Sequence, residues 1–246
     1  MLVRLVACLN ACLSACIGAV LVTALPAQAQ PATTTEPPRP GYLLVMGIST
    51  DAAAMGRYAR TLPPIYDQYG GYYLAAGGLG RGLKVLEGDF KAQSVILAKF
   101  PKGDGPNEFW WSPEYRSSVE IRRGAGAFDV IKLRGLPGDT DRPAGQPAYL
   151  ISIAAIRDRS KLQPYAAVAM PLVRAAGARF ISTGGRKDIE LLEGDFGNLN
   201  VTVLQFPSMA DLEKFYGDPA YQKVIPVRQS AGDYVVLAID GFVPRN

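Results

Sequence analysis

The 246-residue sequence has no histidine. That absence removes Ser-His-Asp and Cys-His catalysis, histidine-ligated haem, and ordinary zinc sites, which draw on Cys and His. A metal could sit only among carboxylates and carbonyls, and neither a metal nor a cofactor is expected. The three cysteines, Cys8, Cys12 and Cys16, cluster near the start, so the rest of the chain carries no thiol. Stability must then come from burial rather than disulfides, which two domains of roughly a hundred residues each can supply. Charge is also modest: 26 basic against 22 acidic residues are interspersed without a basic patch, so no nucleic-acid partner is expected.

What is present first is an apolar run from Leu5 to Leu25, preceded by Arg4 and followed by Ala27-Gln28-Ala29. Small-x-small after a long apolar stretch is the pattern that signal peptidase cleaves. Residues 1–29 therefore read as a signal peptide, and the mature protein as periplasmic or secreted with no membrane span. A retained anchor is the competing reading, but Pro26 and the cleavage pattern follow directly and no basic stop-transfer cluster appears. Leu13-Ser14-Ala15-Cys16 resembles a lipobox, yet more apolar sequence follows where lipoproteins usually turn polar. Residues 30–40 form a Pro/Thr-rich tether, and 136–147 a second breaker-rich stretch read as a linker.

That linker divides two near-equal repeats, 41–135 and 148–246, which match each other residue by residue. Tyr42, Asp51, Tyr58, Pro64 and Gly70 answer to Tyr149, Asp158, Tyr165, Pro171 and Gly177. After one deletion in the second copy, Leu86-Glu87-Gly88-Asp89-Phe90 recurs as Leu192-Glu193-Gly194-Asp195-Phe196, and Tyr115 and Arg122 as Tyr221 and Arg228. A single shift over so long a match identifies a tandem duplication.

Each copy reads as β-α-β-β-α-β. Tyr42–Ile48 and Tyr149–Ile156 are apolar runs of strand length. Asp51 and Asp158 are placed as helix N-caps, and Met55, Tyr58, Leu62, Ile65 and Tyr69 recur at helical spacing. Pro63-Pro64 and Pro171 are expected to kink or restart that helix. Gly70-Gly71 and Gly77-Gly78 are expected to close the helix and break the next strand. Later strands are predicted at Leu83–Glu87, Ser94–Phe100 and Phe128–Leu133, with partners at Ile189–Glu193, Val201–Phe206 and Tyr234–Ile239. In the second copy Ser208 caps a helix to Tyr216, and Asp218-Pro219 starts another to about Gln229. The first copy has Lys102-Gly103-Asp104-Gly105-Pro106 there, which should erode the helix start.

The opening Tyr-Leu, mid-helix Pro, Gly-Gly, Leu-Glu-Gly-Asp, Phe206-Pro207-Ser208, Asp218-Pro219-Ala220-Tyr221-Gln222 and following Arg resemble the family called domain of unknown function 1330. That family belongs to the dimeric α+β barrel superfamily. The resemblance implies α+β ferredoxin-like units whose sheets pair into a barrel. Here both units share one chain, and a twelve-residue linker spans roughly 40 Å when extended. An intramolecular pseudo-dimer is therefore expected, with a higher oligomer left open.

Glu87 and Glu193 end apolar strands, and Arg122 and Arg228 lie on the last helix of each copy. Such a pair can bind a polar ligand or tune a proton transfer, or simply tie helix to sheet. Tyr58, Tyr165, Trp110 and Tyr216 are candidates for a pocket wall, or for aromatic core packing. The glycine-rich Gly77–Gly82 stretch joins strands instead of opening a helix, so it is not a phosphate loop. The expected function is to hold a small, mostly apolar ligand or to serve as a scaffold. The alternative is a cofactor-independent monooxygenase- or isomerase-like activity, by fold analogy. If only one copy keeps a pocket, the glycine- and proline-broken helix beside Trp110 in the first copy is where it is expected.

Overall fold

The computed structural model describes residues 37–139 and 142–242; the predicted signal peptide and most of the predicted tether lie outside the described residues. β1 (Gly41–Ser49) is apolar on both faces. Its alternation sends Tyr42, Leu44 and Met46 into one core and Leu43 and Val45 into another, as a strand buried on both sides requires. α1 (Ala52–Gln68) begins where the Asp51 carboxylate accepts the Ala54 amide at 2.9 Å, and it runs unbroken through Pro63 and Pro64. β2 (Tyr72–Leu79), β3 (Gly82–Glu87) and β4 (Ser94–Phe100) follow. Next come the short α2 (Gly105–Trp110), α3 (Pro113–Ile121) and β5 (Gly126–Arg134).

The second copy repeats this plan. β6 (Ala148–Ile156) leads through a 3-10 turn into α4 (Leu162–Ala175), β7 (Arg179–Gly184), β8 (Ile189–Glu193) and β9 (Asn200–Phe206). α5 (Met209–Tyr216), α6 (Pro219–Gln229) and β10 (Gly232–Asp240) complete it. Ser208 and Asp218 cap α5 and α6. α2 is two residues shorter than α5, the erosion expected from its glycine-rich approach.

Within each copy the strand order is β2-β4-β1-β5 and β7-β9-β6-β10, the ferredoxin-like arrangement with the first strand central. One expectation needs correction. Leu83–Glu87 is not the second strand of its own unit; that place belongs to β2, which pairs with β4. Gly77 sits inside β2 because a Cβ there would stand 3.0 Å from the Arg81 carbonyl. The tight turn after it uses positive φ at Gly80 and Gly82. β3 then leaves its copy and pairs antiparallel with β10 of the other, Val85 opposite Leu237 and Leu83 opposite Ile239. β8 pairs in the same way with β5.

This exchange joins all ten strands into one sheet. Bridges between Ala75 and Gly241 and between Gly135 and Ser182 bring the two halves together at both seams. The chain is an α+β protein in which two ferredoxin-like sheets form one intramolecular, nearly closed barrel. Its interior holds residues of both copies, including Leu44, Leu97, Ile151 and Val203, and each helical layer packs on the outside of its own sheet.

Candidate functional site

The duplicated Glu and Arg meet across the copies rather than within them. Glu193 at the end of β8 accepts two hydrogen bonds from Arg122 at the end of α3, at 2.8 and 2.6 Å. Glu87 at the end of β3 accepts from Arg228 of α6, from the Tyr216 hydroxyl and from Gln229. Gly88 and Gly194 let each arm turn away directly after its glutamate. Both have positive φ, and a Cβ at Gly88 would lie 2.1 Å from the Tyr234 carbonyl oxygen.

The arginines also cover aromatic rings. Arg122 lies 5.3 Å from the Tyr58 ring and 4.6 Å from Phe128; Arg228 lies 5.6 Å from Tyr165 and 4.4 Å from Tyr234. Beside them the hydroxyls of Tyr58 and Tyr115 meet at 2.9 Å, and those of Tyr165 and Tyr221 at 3.0 Å. The candidate residues therefore fall into two equivalent sets between helices and sheet. Tyr58, Arg122 and Trp110 stand with Glu193, and Tyr165, Arg228 and Tyr216 with Glu87.

The two sets enclose very different spaces. In the first copy the cavity between α1 and the sheet is about 70 Å³; in the second, under α4, it is about 270 Å³. Side chains explain the difference. Leu62 and Tyr66 of α1 are replaced by Ala169 and Val173 of α4, while Val45 and Ile96 on the sheet become Ser152 and Thr202. Trp110, buried and stacked near Tyr115 and Arg116, helps fill the first cavity, and its counterpart is Tyr216. The larger cavity thus lies in the second copy, not beside the broken helix of the first. The cause is side-chain volume on the first helix of the unit, which the state of the second helix does not report.

The wall of the larger cavity is chiefly apolar, with Leu150, Leu162, Met170 and Phe180 among its residues. Two hydrogen-bond donors in it have no partner among the described residues, Arg228 Nε and the Tyr234 hydroxyl. Tyr234 stands where the first copy has Phe128, so this donor is peculiar to the copy with the larger space. Burial raises the pKa of Tyr165, Tyr221 and Tyr234, which keeps all three phenols protonated at neutral pH. The lining holds no Asp or Glu; its polar groups are Ser152, Asn200, Thr202, Arg228 and the tyrosine hydroxyls, and Glu87 lies outside it, engaged by three donors.

A second polar centre, absent from the sequence-based candidates, closes one end of the barrel. Asp139, within the predicted linker, turns inward and is 6 % exposed. It accepts from the Tyr42 hydroxyl, from Arg179 at 2.6 Å, and pairs with Lys99 at 3.2 Å. Lys99 is itself 1 % exposed, so Asp139 is a built part of the barrel end. Among the described residues no group of three or more His, Cys, Asp or Glu could hold a metal ion.

The family model described as Domain of unknown function (DUF1330) matches residues 40–136 and again 147–242. No curated protein matches the chain significantly. Among solved structures, an anthrone oxidase-like protein is 11% identical, with 84% of this chain and 92% of that one covered and a TM-score of 0.49. A chlorite dismutase variant from Candidatus Nitrospira defluvii is 11% identical over 85% and 93% of the two chains, with a TM-score of 0.46. The RPA0582 protein of unknown function from Rhodopseudomonas palustris is 21% identical, covering 42% of this chain and 86% of its own, with a TM-score of 0.34.

Proposed function

Because the chain belongs, in both of its halves, to the family described as Domain of unknown function (DUF1330), and because one half carries a cavity where the other is packed, we propose that it is an exported binding protein for a small, mostly apolar molecule held under α4. The contrast between the copies carries this reading. One backbone plan supports a filled site and an open one, so the space is not a consequence of the fold.

The volume difference between the two cavities is about 200 Å³. At ~24 cal/mol per Å³ this corresponds to at most about 5 kcal/mol, less where solvent enters. A void of that cost persists most readily where a ligand repays it. The volume sits just below the usual ~300–1,000 Å³ range and suits a one- or two-ring molecule. Arg228 Nε and the Tyr234 hydroxyl ask for one acceptor, and the nearby Glu87 carboxylate favours a neutral one such as a carbonyl oxygen. The lack of an available base in the cavity supports holding over turnover.

Native mass spectrometry of the protein taken from its own host tests both parts. The expected spectrum shows a chain starting at Gln30 with a small-molecule adduct that collisional activation removes. The double variant Ala169→Leu/Val173→Tyr, which copies the packing of Leu62 and Tyr66, should lose the adduct and gain about 1–2 kcal/mol of stability. An unchanged adduct in that variant would place the ligand elsewhere, and a host-derived chain beginning at Met1 would remove the export assignment.

A further inference from the structure

The barrel end that receives Asp139 is built on the pseudo-twofold relation between the copies, and only half of it is used by Asp139. Tyr42 and Tyr149 occupy equivalent inward positions of β1 and β6. Around them Lys99 corresponds to Gln205, and Tyr72 to Arg179, in the same register. On the first half the Tyr42 hydroxyl, Lys99 and Arg179 together hold one carboxylate, that of Asp139. On the second half the hydroxyl of Tyr149, a fully buried side chain, has no hydrogen-bond partner among the described residues.

That side chain lines a cavity of about 560 Å³ roofed by residues 142–147. Arg142 enters it with its guanidinium 4.0 Å from the Tyr72 ring, while Leu74 and the Tyr73–Phe242 pair, 5.2 Å apart, supply apolar wall. The recognition of an anion rests on Arg142 and the unpartnered Tyr149 hydroxyl. Arg142 is the cation in the cavity wall and Asp67 the acid, and Asp139 beside it is already neutralised by Lys99 and Arg179.

We propose that this cavity is a second ligand site, separate from the one under α4, and that it takes a small monocarboxylate with an aromatic or apolar body. The ligand carboxylate accepts from the Tyr149 hydroxyl and from Arg142, and its body lies against Leu74, Tyr73 and Phe242. Asp139 is the internal example of the same recognition: one carboxylate, one tyrosine hydroxyl and cationic side chains at the barrel end. Burial raises the Tyr149 pKa, so its hydroxyl remains a donor at neutral pH. A carboxylate is preferred over a neutral head because a charge-assisted hydrogen bond is roughly twice as strong as a neutral one.

Calorimetric titration of the mature protein with benzoate and phenylacetate, against benzamide as the uncharged control, tests the site. Both carboxylates should bind, and benzamide should bind at least about tenfold more weakly. Tyr149→Phe and Arg142→Gln should each weaken benzoate by about tenfold or more, while Ala169→Leu/Val173→Tyr leaves it unchanged. Tyr149→Phe should also keep or raise the melting temperature, since it removes a buried hydroxyl that has no partner among the described residues. The proposal is overturned if neither carboxylate binds, if benzamide binds equally, or if either mouth variant keeps wild-type affinity. It is equally overturned if the α4 variant abolishes benzoate binding, or if Tyr149→Phe lowers the melting temperature by several degrees.

Discussion

Asp139→Ala is expected to destabilise the protein by about 3 kcal/mol or more, the usual loss when one member of a buried ion pair is removed. The cost has a specific origin. Lys99 and Tyr42 lie inside the barrel, so removing Asp139 takes an acceptor from both where a lost hydrogen bond is costly. A surface pair of the same chemistry would cost about 0–1 kcal/mol, and urea unfolding separates the two magnitudes easily.

The same carboxylate sets an acid limit. Burial alone would raise its pKa, but the Tyr42 hydroxyl, Arg179 and Lys99 outweigh that and hold it below the ordinary value. A carboxyl held low in the folded chain stabilises it fully above the unfolded-chain value of about 4. That contribution fades as the pH falls through the folded value. Wild type and Asp139→Asn should therefore differ most above about pH 5 and converge as the pH falls from about 4 through the lower folded value. A difference that grows on acidification would contradict this ion-pair role.

The second large effect belongs to the exchanged arms. Glu87→Gln should cost about 2–3 kcal/mol, and Glu193→Gln about 1 kcal/mol. The ordering follows from surroundings: the Glu87 side chain is 10 % exposed and receives three donors, whereas Glu193 is 33 % exposed and receives one arginine. Because each pair joins the two copies, a double-mutant cycle of Glu87→Gln with Arg228→Lys should give a coupling of at least about 1 kcal/mol. Additive effects would mean that β3 does not hold α6 of the other half.

Local signals in the sequence were sufficient where the physics is local. Asp51, Ser208 and Asp218 cap the helices they precede, and the helix-start contrast between Lys102–Pro106 and Ser208 follows from glycine and capping alone. The duplication in turn led to a barrel formed by two ferredoxin-like sheets. The misplacement of the second strand has a different source. Gly77 and Gly78 read as breakers, yet both lie in β2, where a Cβ would crowd the Arg81 carbonyl at Gly77 and the Gln93 carbonyl at Gly78, and those approaches are tertiary facts.

Candidate sites were legible to the same degree. The Glu–Arg and Tyr–Tyr sets could be named from their recurrence, but not which glutamate meets which arginine, since that depends on the arm exchange. Asp139 was hidden in a breaker-rich stretch because Tyr42 is 97 residues away from it and Arg179 is 40. The cavity under α4 was written in plain view as Ala169 and Val173 against Leu62 and Tyr66. It becomes visible only once those positions are known to face the sheet.

The closing of one barrel by exchange of β3 and β8 within a single chain is tested most directly by native-state hydrogen exchange read by mass spectrometry. The exchanged barrel predicts that the amides of Gly82–Glu87 and Ile189–Glu193 that bond to β10 and β5 are protected well above the level of a loop. That protection should not change on hundredfold dilution, because the partner strand is on the same chain. Exchange of these two segments at the rate of an unstructured loop, or protection that vanishes on dilution, would contradict it.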